Sequence, residues 1–119
     1  MARFLILFVL AASSAQAGDV AKGRAVFVQQ CSICHSVAAH APPGVGPSLF
    51  GVVGRKPGSV PGYAYSAAMR AAGQAWTLDR LDVYIESPQK TIPGIKMPYP
   101  GLKDAPKRQD LLSYLNSVK

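Results

Sequence analysis

Cys31-Ser32-Ile33-Cys34-His35 pairs two thiols across a two-residue gap and places an imidazole directly after the second. C-x-x-C-H is the attachment signature of a c-type haem. Each thiol can add to one vinyl group of the macrocycle to form a thioether, and the short gap keeps both sulfurs at one edge of the ring. His35 can then reach the iron from one face. Three other readings of the two cysteines compete. A thiol redox pair usually opens a helix in a thioredoxin-like α/β fold, and no strand pattern is present here. Half a zinc site would need further ligands, and there is no second cysteine pair, only His40. A plain disulfide suits an oxidising compartment. The adjacent histidine, the helix that precedes the motif and the expected export of the chain all favour haem.

A haem iron that only passes electrons needs a second axial ligand, because an open position invites small molecules. His40 lies five residues after His35, on the same side of the attachment point, and is poorly placed for the opposite face. Met69 and Met97 are the remaining candidates, with lysine or the N-terminus as uncommon ones. Met69 stands in Ala67-Ala68-Met69-Arg70-Ala71-Ala72, where a methionine is usually core filler. Met97 stands in Ile92-Pro93-Gly94-Ile95-Lys96-Met97-Pro98-Tyr99-Pro100-Gly101, a loop stiffened by its prolines. Pro98 biases Met97 toward extended backbone. A pre-ordered loop suits a weak thioether ligand, so Met97 is the better candidate.

The N-terminus carries the marks of a targeting signal. Arg3 is followed by an apolar run from Phe4 to Ala12 and by Ala15-Gln16-Ala17, the small-residue pattern at which a signal peptide is cut. The run is shorter than the roughly 20 residues needed to span a bilayer. Residues 1–17 are therefore expected to be a cleaved signal peptide and residues 18–119 one domain, exported to the periplasm. A domain of that size buries modest apolar surface and usually needs a staple such as a prosthetic group. The formal net charge of +7 suits nucleic acid, anionic membrane or acidic protein partners. The basic residues are scattered singly or in pairs, as at Lys22, Arg24, Arg55-Lys56, Lys90 and Lys107-Arg108, with no dense run. Together with export, this excludes nucleic acid and favours docking on an acidic protein.

Helical spacing predicts a first helix from Asp19 to Cys31, with Val20, Arg24, Phe27, Val28 and Cys31 on one face and Gly23 one turn before Phe27. A short helix is expected over Ser66 to Ala72. Another runs from Thr77 to about Ser87, with Leu78, Leu81, Tyr84 and Ile85 inward and Pro88 as its end. The last runs from Asp104 to Val118, with Leu111, Leu112, Leu115 and Val118 as its stripe and Pro106 tolerated in the first turn. Between His35 and Tyr65, repeated Gly and Pro break any regular element. Val45, Leu49, Phe50, Val52 and Val53 are too apolar for a free linker. That stretch is expected to wrap a large apolar object.

With these motifs in place, the whole segment from Gly18 to Lys119 closely resembles class I cytochrome c, in its mitochondrial-like soluble bacterial form. The likeness rests on Gly23 and Phe27 before the CxxCH run, Gly46-Pro47, Gly51-Val52-Val53-Gly54-Arg55-Lys56 and Pro61-Gly62-Tyr63-Ala64-Tyr65. It continues through Trp76, Tyr84 and Pro88, the Ile92-Pro93-Gly94-Ile95-Lys96-Met97 run, and Leu111, Tyr114 and Leu115. The resemblance implies an all-α cytochrome c fold of about four helices with Gly/Pro-rich loops wrapped around one haem. The haem would be bound through Cys31 and Cys34, with His35 and Met97 as iron ligands. Pro47 would offer its carbonyl to His35. Arg55, Tyr65 and Trp76 would hold the propionates, and Tyr84 would lie near the Met97 sulfur.

The resemblance further implies a monomeric one-electron carrier rather than an enzyme. It would run between a quinol-oxidising complex and a terminal oxidase or photosynthetic reaction centre, docking near Lys22, Lys90, Lys96 and Lys103, with at most transient membrane-surface contact. The alternatives are a haem enzyme or gas-binding sensor with a labile Met97, and a dedicated acceptor for a periplasmic dehydrogenase. Departures from the family pattern stand at Ile95, often threonine, at Met69, often asparagine, and at Ala25, Gln30 and Gln89, where docking lysines are usual.

Overall fold

The three longer helices each begin where a short polar side chain can satisfy a backbone N–H that the first turn leaves unpaired. Asp19 accepts from the Lys22 amide at 2.8 Å, Thr77 from Arg80 at 3.1 Å and Asp104 from Lys107 at 3.0 Å. The computed structural model describes residues 18–119; the expected signal segment 1–17 lies outside the described residues. In chain order the helices are α1 (Val20–Gln30), α2 (Ala67–Arg70), α3 (Leu78–Glu86), α4 (Pro88–Thr91) and α5 (Ala105–Ser117). There is no strand among the described residues, and the fold is all-α, as expected.

α1 crosses α5, and the crossing depends on Gly23. A Cβ at Gly23 would collide with the Asp110 carbonyl and stand 2.8 Å from Tyr114 Cβ. One turn on, the rings of Phe27 and Tyr114 pack with centroids 5.5 Å apart. The Asp19 amide donates to Asp110 Oδ1 at 2.8 Å and ties down the start of α1. Because the approach centres on Gly23, the buried face of α1 is Gly23, Val26 and Phe27. The expected face is thus displaced: Val20 and Val28 are 47% and 53% exposed. On α5, Leu111, Leu112 and Leu115 are buried as expected.

α3 buries Leu81 and Tyr84, whereas Leu78 points to solvent. Pro88 does more than end α3. It is fully buried and opens a further single turn, α4, where its missing N–H costs nothing because the first turn has no acceptor for it. α4 is the element that sequence periodicity does not reveal. A second correction concerns Arg108, grouped above with the dispersed surface cations. Its guanidinium is buried, donating from Nε to Asp82 Oδ1 at 2.5 Å and from Nη1 to the Leu102 carbonyl at 2.9 Å. It pins α5 to α3. A charge is tolerated there because every contact is a charge-assisted bond.

The irregular stretch between His35 and Tyr65 is held by backbone bonds within itself, to the end of α5 and to the turn that leads into α3. Leu49 N–H donates to Ser36 at 2.7 Å, Gly51 to Val118 at 2.8 Å and Gly54 to Trp76 at 2.7 Å. The loop thus wraps as anticipated, and the space it wraps around is the site.

Candidate functional site

A cavity of about 710 Å³ lies between the frame and the loops, with a predominantly apolar lining that includes Leu49, Val52, Leu81, Ile95, Leu111 and Leu115. Its volume is in the range of cofactor sites, roughly 300–1,000 Å³. Every residue expected at the site lines it: Cys31, Cys34 and His35 from the end of α1, Pro47 and Arg55 from the wrapping loop, Tyr65, Trp76, Tyr84 and Met97. Met69 and Ile95, where the sequence departs from the family pattern, line it too. His40 does not; it is exposed and held at φ 59°.

α1 gives way at Cys31, whose amide still bonds to the Phe27 carbonyl at 2.8 Å, and the following turns bring His35 to the cavity wall. His35 Nδ1–H donates to the Pro47 carbonyl at 2.7 Å, which fixes the tautomer and leaves Nε2 with a free lone pair. Burial lowers the His35 pKa from its ordinary value, against the opposing pull of the Pro47 bond and with a further lowering from Arg55. A neutral imidazole is the form that can bind a metal. Gly46 makes this geometry possible. A Cβ there would stand 2.6 Å from His35 Cε1 and 2.8 Å from Nδ1, so the backbone acts as a flat support for the ring.

The thiols behave differently from a redox pair. Burial, and then the neighbouring Cys34, push Cys31 up to about 11, whereas thiol oxidoreductases depend on a depressed value. Both cysteines are free of a disulfide.

The polar groups of the lining are few. Arg55 Nη1 donates to the Ser48 and Phe50 carbonyls, each at 2.9 Å, leaving the rest of its fork for another acceptor. Burial lowers its pKa from the ordinary value, partly opposed by Tyr65. Tyr65 Oη accepts from the Val60 amide at 3.1 Å, so its own proton is available. Trp76 is a pure donor. Its ring packs on Tyr84 with centroids 4.9 Å apart. Burial, with a contribution from Tyr63, pushes the Tyr84 phenol up to about 12, so it stays protonated at neutral pH.

The Met97 loop is held from three sides by contacts the sequence does not announce. Gln89 Nε2 donates to the carbonyls of Ile95 and Met97, both at 3.1 Å. Lys96 Nζ donates to the Ala64 carbonyl at 2.6 Å, and Tyr99 Oη to Gln30 Oε1 at 3.0 Å. Two of the expected docking lysines are therefore engaged: Lys96 as just described, and Lys103 with the Glu86 carbonyl and Ser87 Oγ at 2.7 Å. Lys22 and Lys90 are exposed.

The donor set fits one group. A large apolar ring would fill the cavity, two thiols could anchor its edge, a tautomer-fixed imidazole and a thioether could meet its metal, and Arg55, Tyr65 and Trp76 could receive its carboxylates. The fold and the site thus define a c-type haem protein. The model of the Cytochrome c family matches residues 20–119, and the chain belongs to that family.

Similar curated proteins include the cytochrome c2 of Rhodomicrobium vannielii, 48% identical over 107 residues, covering 90% of this chain and 85% of that one. The cytochrome c2 of Rhodopila globiformis is 48% identical over 106 residues, covering 89% and 99%. Among solved structures, cytochrome cH from Methylobacterium extorquens superposes with a TM-score of 0.77 at 40% identity, covering 84% of this chain and 99% of that one. The chain is a c-type cytochrome that carries electrons on covalently bound haem c, with Cys31 and Cys34 in the attachment spacing.

Proposed function

We propose that the protein is a periplasmic one-electron shuttle with His35 and Met97 as axial ligands. Residues 1–17 are its cleaved signal and residues 18–119 its functional domain. The observation that carries this reading is the His35–Pro47 bond, which leaves Nε2 as a ready ligand on a cavity that Met97 also lines. Haem supplies a single-electron couple with no proton to manage. The chain's residues do the rest. Two persistent ligands limit rearrangement between oxidation states. The neutral thioether and the apolar walls disfavour added positive charge, which raises the potential. Gln89, Lys96 and Tyr99 keep the Met97 loop closed and water out. Arg55, Tyr65 and Trp76 orient the carboxylates of the ring.

The partners are a quinol-oxidising complex and a terminal oxidase or reaction centre. All six carboxylates of the chain, Asp19, Asp79, Asp82, Glu86, Asp104 and Asp110, stand on α3 and α5 or at the helix starts. Residues 20–78 and 87–103, which supply most of the cavity wall, contain none. That asymmetry, more than a dense lysine ring, would steer acidic partners, and its effect should fade as salt is added.

The test is an optical and redox titration of the holoprotein beside Met97→Ala. The variant should keep its haem under denaturing conditions, lose the sulfur-to-ferric-iron absorption band and gain affinity for carbon monoxide in the ferrous state. Survival of the band would remove Met97 from the iron. Ready binding of carbon monoxide by the unaltered ferrous protein at neutral pH would instead favour a sensor or enzyme.

A further inference from the structure

The N3 position of a helix is where a carboxylate normally sits, completing a capping box and facing the positive end of the helix dipole. α3 has Thr77 as its cap and Arg80 at N3, a cation in the least favourable turn. A broken local rule marks a side chain committed elsewhere, and Arg80 has two such commitments. Its guanidinium donates to the carbonyls of Gln74, Ala75 at 3.2 Å and Ala72 at 3.4 Å, gathering the turn that leads into α3. It also lies over the Trp76 ring, 5.5 Å from the centroid.

Trp76 is the link to the cavity. It lines the wall beside Tyr84, and its backbone is fixed on both sides, its N–H donating to Arg55 at 2.9 Å and its carbonyl accepting from Gly54 at 2.7 Å. Arg80 is not part of the lining. The ion pairs among the described residues belong to Arg108, so no acid in contact neutralises the charge on Arg80. A guanidinium is always charged. Placed over an indole, it draws on the ring's negative face, which makes the N–H at the ring's edge a stronger donor. Held behind the wall of a cavity whose metal would gain charge on oxidation, it would disfavour the oxidised state.

We propose that Arg80 is a positioning residue that raises the reduction potential from outside the cavity by holding its charge over Trp76, while its fork clamps the 72–76 turn. This rests on the one-electron reading above. The charge and the clamp can be separated. Arg80→Lys keeps the charge and loses the fork. Arg80→Met loses both. Arg80→Glu reverses the charge while restoring the usual N3 carboxylate, so its helix start is secure.

The experiment is a redox titration of the three holoproteins and the parent at low and high ionic strength, with hydrogen exchange of the Trp76 amide. Arg80→Met should shift the ferric/ferrous equilibrium about threefold toward ferric, a fall of about 28 mV at 59 mV per tenfold, and Arg80→Glu about tenfold. Both shifts should shrink with salt. Arg80→Lys should hold the parent potential while the Trp76 amide exchanges faster. An unchanged potential in Arg80→Glu, or an equal fall in Arg80→Lys and Arg80→Met, overturns the proposal. If the parent itself lacks the sulfur-to-iron band, the ligand reading fails, while the ordering of the four potentials still decides on Arg80.

Discussion

The helical frame and the wrapping loop are held by different means. α1, α3 and α5 pack on one another through Gly23, Phe27, Tyr114 and the Arg108–Asp82 bond. Their crossings are protein against protein, although α3 and α5 also turn Leu81, Leu111 and Leu115 to the cavity. The stretch from His35 to Tyr65 has backbone bonds to the frame, but Leu49 and Val52 face the cavity. Leu49 is only half-buried and a haem would complete its cover, whereas Val52 is already buried at the cavity wall. One region carries its own core, and the other borrows one. The borrowed core explains how some thirty residues rich in Gly and Pro can be ordered in a small domain, where long irregular loops are otherwise uncommon.

The largest effect should follow from removing the borrowed core. In Cys31→Ser/Cys34→Ser no thioether can form, and an unfilled apolar cavity of this size leaves little net stability in a domain this small. Circular dichroism should show loss of most helical signal. Native helicity without haem would mean that the frame stands on its own contacts and that the haem orders the loop alone.

Gly23→Ala attacks the frame instead. The added methyl must move the Asp110 backbone, which a packed crossing resists. A net loss of about 1–3 kcal/mol is expected, read as a lower denaturant midpoint with the haem spectrum intact in the folded protein. An unaltered midpoint would show that α1 and α5 can slide apart freely.

The two regions were unequally legible in the sequence. Asp19, Thr77 and Asp104 announce their helices because capping is a local matter, settled within a turn. Val20 and Val28 mislead because the buried face of α1 is set by where α5 crosses it. Pro88 reads as a stop because proline ends one helix and begins another by the same missing N–H. Arg108 reads as surface because its burial depends on Asp82, 26 residues away. At the site, the CxxCH run and Met97 were legible as chemistry. Gln89 was legible only as a missing lysine, since the carbonyls it binds are brought to it by the folded loop.

Gln89→Ala gives the smallest and sharpest test, because it touches the seam between frame and loop. Losing two bonds to the Met97 loop should cost about 1–2 kcal/mol locally, with little change in global stability. External imidazole should then displace Met97 several-fold more readily. Unchanged imidazole binding would show that proline stiffness alone keeps the loop closed.

The bond from the Asp19 amide to Asp110 joins residues 91 apart in sequence. Closing a loop of that length costs on the order of 4 kcal/mol of chain entropy, and nothing offsets it until α5 exists to receive α1. The helix leading into the CxxCH motif therefore stays undocked while the chain is being made, and both thiols remain accessible for attachment. The topology sets an order of events: the cofactor can be joined to an open chain, and α5, far downstream of the motif, then closes on α1.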